Sequence, residues 1–396
     1  MRPVHPVPPN IPMRAAGLRL ALFTDTYAPQ VNGVARTLER LVAAVEARGG
    51  VVRVFTPSDP DGQEQPAVER FRSRAFWAYP QLRLSWPSSS RVQTALRAFA
   101  PTIVHAATEF GTGLAGRRAA LALDIPFVSS YHTSFVAYAE HYRLGLLARP
   151  GWHFMRWFHN GGLRTYCPTQ SIVDEVTAQG FERTAVWSRG VDGERFSPQH
   201  RSPALRERLV QTSDTLVLSY VGRLAAEKGL DVALDALELV ERARPGRVRW
   251  LVVGDGPYES EVRRRAPAGT VLTGQLQGAA LSEAYASGDV FLFPSVTDTF
   301  GNVMLEAMAS GLPVIGADVG PTREQLQSGG GWLVPAGDAA AFARQIVALV
   351  DDRARVREAA GRASAFAASK SWDVVWDTLL RDYLQLHRAP ARPSLR

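Results

Sequence analysis

Short apolar runs alternate with amphipathic stretches along most of the chain. Residues 18–25 (LRLALFTD) form an apolar run, and residues 34–48 then place apolar side chains at helical spacing until Gly49-Gly50 ends the pattern. A short apolar run is typical of a buried strand, and a 3.6-residue spacing is typical of an amphipathic helix. Because VVRVF (51–55) follows at once, we expect a β-loop-α-β unit in a parallel sheet with right-handed crossovers.

The same alternation starts again in the second half of the chain. TLVLSYVGR (215–223), WLVVGDGPY (250–258) and DVFLFP (289–294) are near-continuous apolar runs. The pattern therefore predicts an α/β protein made of two similar halves, with one helix over about 338–370 near the end. The expected limits are 1–17 for a disordered proline-rich leader, 18–196 for the N-terminal domain, 197–371 for the C-terminal domain, 372–388 for a terminal helix and 389–396 for a disordered tail.

Composition narrows the class of protein. The chain has 396 residues, of which 46% are hydrophobic, so two or three domains with sizeable cores are expected. No apolar run approaches the roughly 18 residues of a membrane-spanning helix. The N-terminus has no apolar segment like that of a secretory signal, and the lone Cys167 excludes an internal disulfide. These features favour a cytoplasmic protein.

Charge adds a preference for anionic partners. The formal net charge is +7, which favours nucleotide phosphates, anionic lipid headgroups or nucleic acid. Of the 45 basic residues only Lys228 and Lys370 are lysines. In a chain so rich in arginine, a lysine is of interest for its compact ammonium group.

Two segments interleave basic and aromatic side chains, namely residues 67–87 and residues 135–162, the latter predicted as two helices. Such segments can stack on bases or lie at a lipid interface. The alternative for 67–87 is a hairpin or loop that packs its aromatic rings on its own domain. The alternative for 135–162 is a buried packing face.

Two carboxylates frame the polar turn that follows the apolar run 289–294. Asp298 precedes the helix predicted to begin at Asn302, and Glu306 lies on it, with seven residues between the two acids. Gly301 allows close approach of a ligand, and the amides of Phe300, Gly301 and Asn302 lie where a helix N-terminus offers donors. Carboxylates accept hydrogen bonds from hydroxyls and amides donate to them, so the turn suits a polyhydroxylated ligand. The alternative is an N-capping acid and a solvated helix glutamate.

Other polar residues also follow predicted strands. Arg223 ends a strand and Lys228 precedes a helix, where two cations and the helix dipole can stabilise a leaving diphosphate without a metal. His132 follows the strand 126–130, and Gly33 begins a helix, both at the edge where open α/β sheets bind ligands. The alternatives are two solvated cations, a capping histidine and a simple capped turn. The chain has no His/Cys cluster with metal-ligand spacing.

These motifs together resemble retaining glycosyltransferase family 4. The resemblance rests on the two acids with seven residues between them, on TFGN after the first acid, on GRL..EKG around Arg223 and Lys228, and on YHT at 131–133. It covers roughly residues 18–390. It implies a GT-B fold: two Rossmann-like domains with parallel sheets that face a central cleft, and a C-terminal helix that crosses back to the N-terminal domain. The N-terminal domain would be the acceptor side, and the C-terminal domain would bind the nucleotide-sugar.

The resemblance also implies roles for single residues. Arg223 and Lys228 would stabilise the leaving diphosphate, Glu306 would hold the ribose, and Asp298 would hold the hexose with the amides beside it. His132 would contact the hexose near its anomeric carbon. The implied catalytic residues are Arg223, Lys228, His132 and Asp298, and the implied donor-binding residues are Gly33, Gln275, Leu276, Asp298, Phe300, Gly301, Asn302 and Glu306. No cofactor and no metal are expected.

TFGN is most similar to the mannosyl and sulfoquinovosyl lipid glycosyltransferases. We therefore expect retaining, metal-independent transfer of mannose from GDP-mannose to a lipid-linked or glycolipid hydroxyl, with peripheral contact to an anionic membrane. The family usually has Glu where this chain has Asp298, so UDP-glucose or UDP-sulfoquinovose, with diacylglycerol as acceptor, stays open as donor.

Other classes of function also stay open. A nucleotide-sugar epimerase or a glycosyl phosphorylase can use the same architecture. A non-enzymatic binder of anionic polymers could use residues 67–87, although no nucleic-acid-binding motif supports that alternative and nucleic acid is not expected as a partner.

Overall fold

The computed structural model describes residues 14–30, 32–76, 79–132, 148–210, 212 and 214–388. The chain divides into two compact units. The first contains the residues up to Ser188 together with those from Asp373 onward, and the second is Arg189–Trp372. Within the described residues, no helix is both long and apolar enough to span a bilayer.

The first unit is a parallel sheet with helices packed on it. Its strands are β1 (Arg19–Phe23), β2 (Val51–Pro57), β3 (Val68–Phe71), β4 (Ser73–Phe76), β5 (Tyr79–Ser85), β6 (Ile103–Ala106), β7 (Phe127–Ser130), β8 (Arg164–Cys167) and β9 (Thr184–Val186). Its helices before the second unit are α1 (Gly33–Ala47), α2 (Ser89–Phe99), α3 (Gly111–Ala122), α4 (Ala148–Asn160) and α5 (Gln170–Ala178). Seven strands form the sheet in the order β3-β2-β1-β6-β7-β8-β9, and β4 and β5 form a separate antiparallel pair.

The apolar pattern explains why these elements form. In α1 the side chains of Leu38, Leu41 and Val45 are buried, as the spacing predicted, and the Asn32 side chain caps the helix by accepting a hydrogen bond from the Ala35 amide at 2.9 Å. Phe23 and Phe55 stack across β1 and β2 with ring centroids 4.3 Å apart. Helix and sheet together enclose a continuous apolar core.

The second unit repeats the plan. It contains β10 (Leu216–Val221), β11 (Val248–Val253), β12 (Val271–Leu272), β13 (Val290–Phe293), β14 (Val314–Ala317) and β15 (Gly331–Val334), paired in parallel in the order β12-β11-β10-β13-β14-β15. Its helices are α6 (Pro203–Leu209), α7 (Leu230–Ala243), α8 (Glu259–Arg265), α9 (Gly278–Ala286), α10 (Asn302–Ala309), α11 (Gly320–Leu326), α12 (Ala339–Asp351) and α13 (Arg353–Ala368). Two apolar clusters, one on each face of the sheet's strands, make up its core.

The terminal helix α14 (Trp372–Arg388) contributes its residues from Asp373 onward to the first unit. The Arg48 guanidinium bonds Asp377 at 2.8 Å and Asp373 at 2.9 Å, and Arg164 pairs with Asp382 through two bonds of 3.1 Å. The helix therefore completes a unit whose other elements all come before the second unit in the chain.

Several expectations change at the level of elements. The predicted helix over 338–370 is two helices, because the Asp352 side chain accepts the Ala354 amide and starts α13. The leader was expected to be disordered through residue 17, but Ala15 is buried and its amide donates to the Arg48 carbonyl at 2.7 Å. In the segment 67–87, β3 joins the main sheet beside β2, and β4 and β5 make a hairpin.

Some expectations fall outside the described residues. These are the leader up to residue 13, the tail 389–396 and the part of the segment 135–162 that precedes residue 148. Of the two helices expected over 135–162, the structure describes one, α4.

Candidate active site

The second sheet brings two of the predicted loops side by side. β10 pairs with β11 on one side and with β13 on the other, so the strand order reverses direction between β10 and β13. Open parallel sheets bind ligands at the carboxyl ends of their strands, at such a reversal. Arg223 and Lys228 follow β10, and Asp298 follows β13, so the fold places the predicted cations and the first acid at this point.

Lys228 and Asp298 are in direct contact. The Lys228 ammonium donates to both carboxylate oxygens of Asp298, at 2.9 and 3.0 Å, and the Ser295 hydroxyl donates to one of them at 2.5 Å. Both charged side chains are mostly shielded from solvent. Charge-assisted bonds in a partly buried place are stronger than those at an open surface. The contact joins the loop after β10 to the loop after β13.

Arg223 is held by a residue that the sequence analysis did not select. Its guanidinium pairs with Glu227, whose side chain is buried, and the Glu227 carbonyl accepts the Thr297 hydroxyl at 3.2 Å. The Tyr220 hydroxyl donates to the Arg223 carbonyl at 2.9 Å. Burial, with the charges of Asp298 and Glu227, raises the pKa of Tyr220, so this phenol stays neutral and remains a donor.

The turn that contains Phe300, Gly301 and Asn302 has a backbone conformation that favours glycine. Gly301 is left-handed, with φ +77°, and begins α10 as its N-cap. A Cβ atom there would lie 2.7 Å from the Met304 Cε. The Asn302 Oδ1 atom is buried and has no hydrogen-bond partner in the part of the chain that the structure describes. The Phe300 carbonyl accepts a hydrogen bond from the side chain of Gln325.

Glu306, the second acid of the pair, lies on α10. The Tyr285 hydroxyl donates to its Oε2 atom at 2.8 Å. Tyr285 is fully buried and meets the Phe196 ring edge to face, at 5.4 Å between centroids. A packed tyrosine therefore fixes the rotamer of the glutamate before any ligand binds.

Glycines let the loops after β10 and β11 lie in backbone contact. A Cβ atom on Gly254 would lie 2.0 Å from the Gly222 carbonyl oxygen, so no other residue fits there without a shift. The Leu224 amide donates to the Asp255 carbonyl at 2.7 Å. The Gln275 side chain in turn donates to the Asp255 carboxylate at 2.9 Å, and Leu276 packs at the margin of the core.

The remaining predicted residues lie on the first unit. Gly33 is the exposed first residue of α1. His132 follows β7, is half-buried and sets its ring at a steep angle to that of the buried Trp187, at 5.3 Å between centroids.

The first unit also has buried acids at the carboxyl edge of its sheet. Asp25 follows β1 and accepts bonds from the Thr108 hydroxyl and the Thr112 amide, both at 2.7 Å. Glu109 follows β6 and lies 3.4 Å from the Nε2 atom of His159. Burial raises the pKa of both carboxyl groups, although their hydrogen-bonding partners oppose the shift.

A bound metal ion would require side chains that commonly bind metals to lie close together. Among the described residues, no three His, Cys, Asp or Glu side chains come together in a group that could hold a metal ion. The expectation of metal-independent chemistry stays a prediction.

Comparison with known proteins identifies the family. Residues 31–195 match the family described as Glycosyltransferase Family 4, and residues 215–352 match Glycosyl transferases group 1. A GDP-mannose-dependent alpha-mannosyltransferase of Mycobacterium tuberculosis is 36% identical over 93% of this chain and 96% of that protein. The chain belongs to glycosyltransferase family 4. It is therefore a glycosyltransferase enzyme, as the motifs implied.

Further relatives and structures agree with this placement. The glycosyltransferase is 32% identical to the sulfoquinovosyl transferase SQD2 of Arabidopsis thaliana, over 87% of this chain and 69% of that protein. In fold it is similar to sucrose-phosphate synthase from Thermosynechococcus elongatus, with a TM-score of 0.74 at 19% identity, over 93% of this chain and 99% of that one. It is also similar to HepE of Anabaena in complex with UDP and glucose, with a TM-score of 0.71 at 21% identity and the same coverage. The α/β, two-domain GT-B fold expected from the sequence is confirmed.

The glycosyltransferase contains site neighbours that the sequence analysis missed. Ser295, Glu227, Tyr285 and Gln325 each bond a predicted residue or its loop. Glu227 stands inside the quoted EKG motif, so its charge beside Arg223 was a usable signal. Gln325 was also detectable, because it shares a helical face with buried Thr322 and Leu326, where an apolar residue is expected. Tyr285 gave no signal, since its contact with Glu306 depends on how two helices pack.

Proposed function

We propose that this glycosyltransferase transfers mannose from GDP-mannose to a hydroxyl of a lipid-linked or glycolipid acceptor, with retention of the anomeric configuration and without a metal ion. The observation that carries the proposal is the contact of Lys228 and Ser295 with Asp298 at the strand reversal of the second sheet. In this proposal the Lys228 cation would bind the diphosphate, and the Asp298 carboxylate beside it would bind the hexose.

The donor would bind along the loops of the second unit. Glu306, oriented by Tyr285, would accept hydrogen bonds from the ribose hydroxyls. Asp298 and the amides of the turn would hold the hexose, and Gln275 and Leu276 would contact the base. An ammonium has three donors, so Lys228 can bond a phosphate oxygen while it still contacts Asp298.

The chemistry needs charge stabilisation more than a strong base. As the glycosidic bond breaks, negative charge grows on the diphosphate, and Arg223 and Lys228 would stabilise it. The acceptor hydroxyl would attack from the face that the diphosphate leaves, which retains the configuration. The leaving phosphate would take the acceptor's proton.

The choice of donor rests on the names of the relatives. Relatives from Mycobacterium tuberculosis, Mycolicibacterium smegmatis and Corynebacterium glutamicum carry the name GDP-mannose-dependent alpha-mannosyltransferase. The sulfoquinovosyl and monoglucosyldiacylglycerol relatives make a UDP-sugar the second candidate. Glycolipid products among these names support a lipid acceptor and a peripheral position at the cytoplasmic face of a membrane.

The scarcity of lysine offers a direct test of the diphosphate site. Lys228 and Lys370 are the two lysines of the sequence, so acetylation by an amine-reactive ester can be followed at each by mass spectrometry. We expect GDP-mannose to slow acetylation of Lys228 and to leave Lys370 unchanged. If none of GDP-mannose, UDP-glucose and UDP-sulfoquinovose slows the acetylation of Lys228, the proposed site is contradicted.

The assignment of Glu306 has its own test. Loss of a hydrogen bond between a carboxylate and a ribose hydroxyl costs about 1.5–3 kcal/mol, so Glu306→Gln should weaken GDP binding at least about tenfold. The 2′-deoxy and 3′-deoxy forms of GDP serve as the matched probes. If Glu306 binds the ribose, at least one deoxy form loses affinity for the unaltered enzyme but not for Glu306→Gln; parallel losses in both proteins would remove Glu306 from the ribose.

Retention and metal independence are tested on the product. Proton NMR during turnover should show the α-anomer as the first product from an α-linked donor, and EDTA should leave the rate unchanged. A β-linked product or a rate restored only by a divalent cation would overturn this part of the proposal.

A further inference from the structure

A buried glutamine contacts the backbone of the turn that begins α10. Gln325 lies on α11 and is 3% exposed, on the same face as buried Thr322 and Leu326. Burying an amide group is costly unless it is hydrogen-bonded. Its Nε2 atom donates to the Phe300 carbonyl, while its Oε1 atom is buried and has no hydrogen-bond partner among the described residues. The bond to the Phe300 carbonyl is therefore the one hydrogen bond of this side chain among the described residues.

Peptide geometry makes that one bond directional. In a trans peptide the C=O of one residue and the N–H of the next point in opposite directions. The Phe300 carbonyl points toward Gln325, inside the second unit, so the Gly301 N–H points away from it. Gly301 has φ +77° and could tolerate other orientations of this peptide, because glycine has few steric limits. Gln325 therefore favours one orientation of this peptide.

We propose that Gln325 is a positioning residue, which holds the Phe300–Gly301 peptide so that the Gly301 amide donates to the hexose of the nucleotide-sugar. This inference rests on the proposed function and adds a residue to it. Gln325 acts through the backbone and does not touch the donor. Its effect is accordingly confined to the sugar and absent from the nucleotide.

The test compares two variants with a matched control. Gln325→Met has the same length and cannot donate, and Gln345→Met replaces a half-buried glutamine of α12 whose Nε2 atom has no hydrogen-bond partner in the described part of the chain. We expect kcat/KM for GDP-mannose to fall about three- to tenfold in Gln325→Met, since one neutral hydrogen bond is worth about 0.5–1.5 kcal/mol. The affinity for GDP should stay within about twofold of the unaltered enzyme, and Gln345→Met should change neither value.

Gln325→Glu supplies a readout that packing alone cannot give. The protonated carboxyl can donate to the Phe300 carbonyl and the ionised one cannot, and burial favours the protonated form. The ratio of its kcat/KM to that of the unaltered enzyme should rise as the pH is lowered, whereas the ratio for Gln325→Met should stay flat. This variant also keeps the inference testable if Gln325→Met does not fold.

Each result separates the inference from the proposed function. If Gln325→Met keeps the kcat/KM of the unaltered enzyme, or loses GDP and GDP-mannose affinity equally, or if the Gln325→Glu ratio does not change with pH, the positioning role is wrong. If the unaltered enzyme binds and uses none of GDP-mannose, UDP-glucose and UDP-sulfoquinovose, the proposed function itself is wrong.

Discussion

Asp298 gathers contacts from two loops. Lys228 reaches it from the loop after β10 and Ser295 from its own loop after β13, so one carboxylate links the two loops. A glutamate at this position would carry its oxygens one methylene further from the backbone. The shorter Asp298 keeps the Lys228 ammonium close to the turn. We therefore expect the loss of Lys228 to have the largest effect on kcat among the residues of this contact.

Lys228→Ala should lower kcat about a hundredfold or more and change KM less, because its partner charge grows in the transition state. Lys370→Ala is the matched control, since that lysine lies over the Phe366 ring, at 4.8 Å, away from the predicted site residues. Steady-state kinetics with saturating acceptor measure both. An unchanged kcat in Lys228→Ala, or an equal loss in Lys370→Ala, would show that the lysine does not serve the leaving group.

Gly301→Ala tests the turn itself, with Gly337→Ala as control. Both glycines have φ +77°, so both alanines carry about 1–2 kcal/mol of backbone strain, but only at Gly301 would a Cβ atom meet neighbouring side chains. We expect similar modest losses of stability from the strain, an added loss at Gly301 from the clash with Met304, and a fall in kcat/KM of at least about tenfold in Gly301→Ala alone. Thermal unfolding and kinetics on folded protein check this; full activity in Gly301→Ala would contradict the role of the turn.

At the scale of elements, the parallel sheets of the two units have the same strand topology. In each, the first strand lies in the middle, the second and third extend to one side and the later strands extend to the other. The reversal therefore falls beside the first strand twice: between β1 and β6 it brings Asp25 to Thr108, and between β10 and β13 it brings Lys228 to Asp298. The common topology therefore places polar side chains from corresponding strands at the same point of each sheet.

What the sequence could predict depends on the range of the contacts. The helix expected over 34–48 is observed as Gly33–Ala47, because its apolar stripe and its Asn32 cap are local signals. The break at Asp352 was missed because apolar residues continue at helical spacing on both sides of it. The bonds of Gln325 to Phe300 and of Tyr285 to Glu306 join residues more than twenty positions apart, and no local pattern encodes such contacts.

A buried histidine between β6 and α14 should make the free energy of unfolding depend on pH. His105 is fully buried, with its ring nitrogens bonded to the Tyr383 hydroxyl at 2.6 Å and the Ser130 hydroxyl at 2.5 Å, and burial lowers its pKa to about 3. The unfolded chain binds a proton at this histidine below about pH 6.5, and the folded one does not. Stability from this group is therefore present above about pH 6.5 and is lost as the pH falls toward 3, by at most about 1.4 kcal/mol per pH unit.

His105→Gln should remove that part of the pH dependence. Asp25 and Glu109 act in the opposite direction, because a raised carboxyl pKa stabilises the folded state as the pH falls, but both are present in the variant and cancel in the difference. Urea unfolding between about pH 7 and pH 4.5 measures it, with exposed His153→Gln as control. Parallel stability curves for His105→Gln and the unaltered enzyme would show that His105 is not the group involved.

At the scale of the whole molecule, charge and exposed aromatic rings indicate which surface to test for contact with lipid. The positive charge of the chain comes almost wholly from arginine, and on α4 the side chains of Arg149, Arg156 and Trp157 are exposed. Trp157 is 45% exposed with the Arg117 guanidinium 3.9 Å over its ring, and Phe110, 38% exposed, stacks on Phe154. Tryptophan and arginine together are typical of a membrane interface, so α4 is the surface we expect to contact lipid.

We therefore predict that the enzyme sediments with vesicles that contain phosphatidylglycerol at low salt, sediments poorly with pure phosphatidylcholine, and is released as salt is added, because the attraction is screened. Trp157→Ser should lower the bound fraction, since it removes the ring that would enter the interface. Trp86→Ser is the matched comparison: Trp86 is 72% exposed and ends the other basic-aromatic segment, 67–87. If Trp86→Ser releases the enzyme and Trp157→Ser does not, that segment is the lipid surface instead. Binding that ignores both vesicle charge and salt would exclude an electrostatic membrane contact, and the acceptor would then have to reach the enzyme away from an anionic surface.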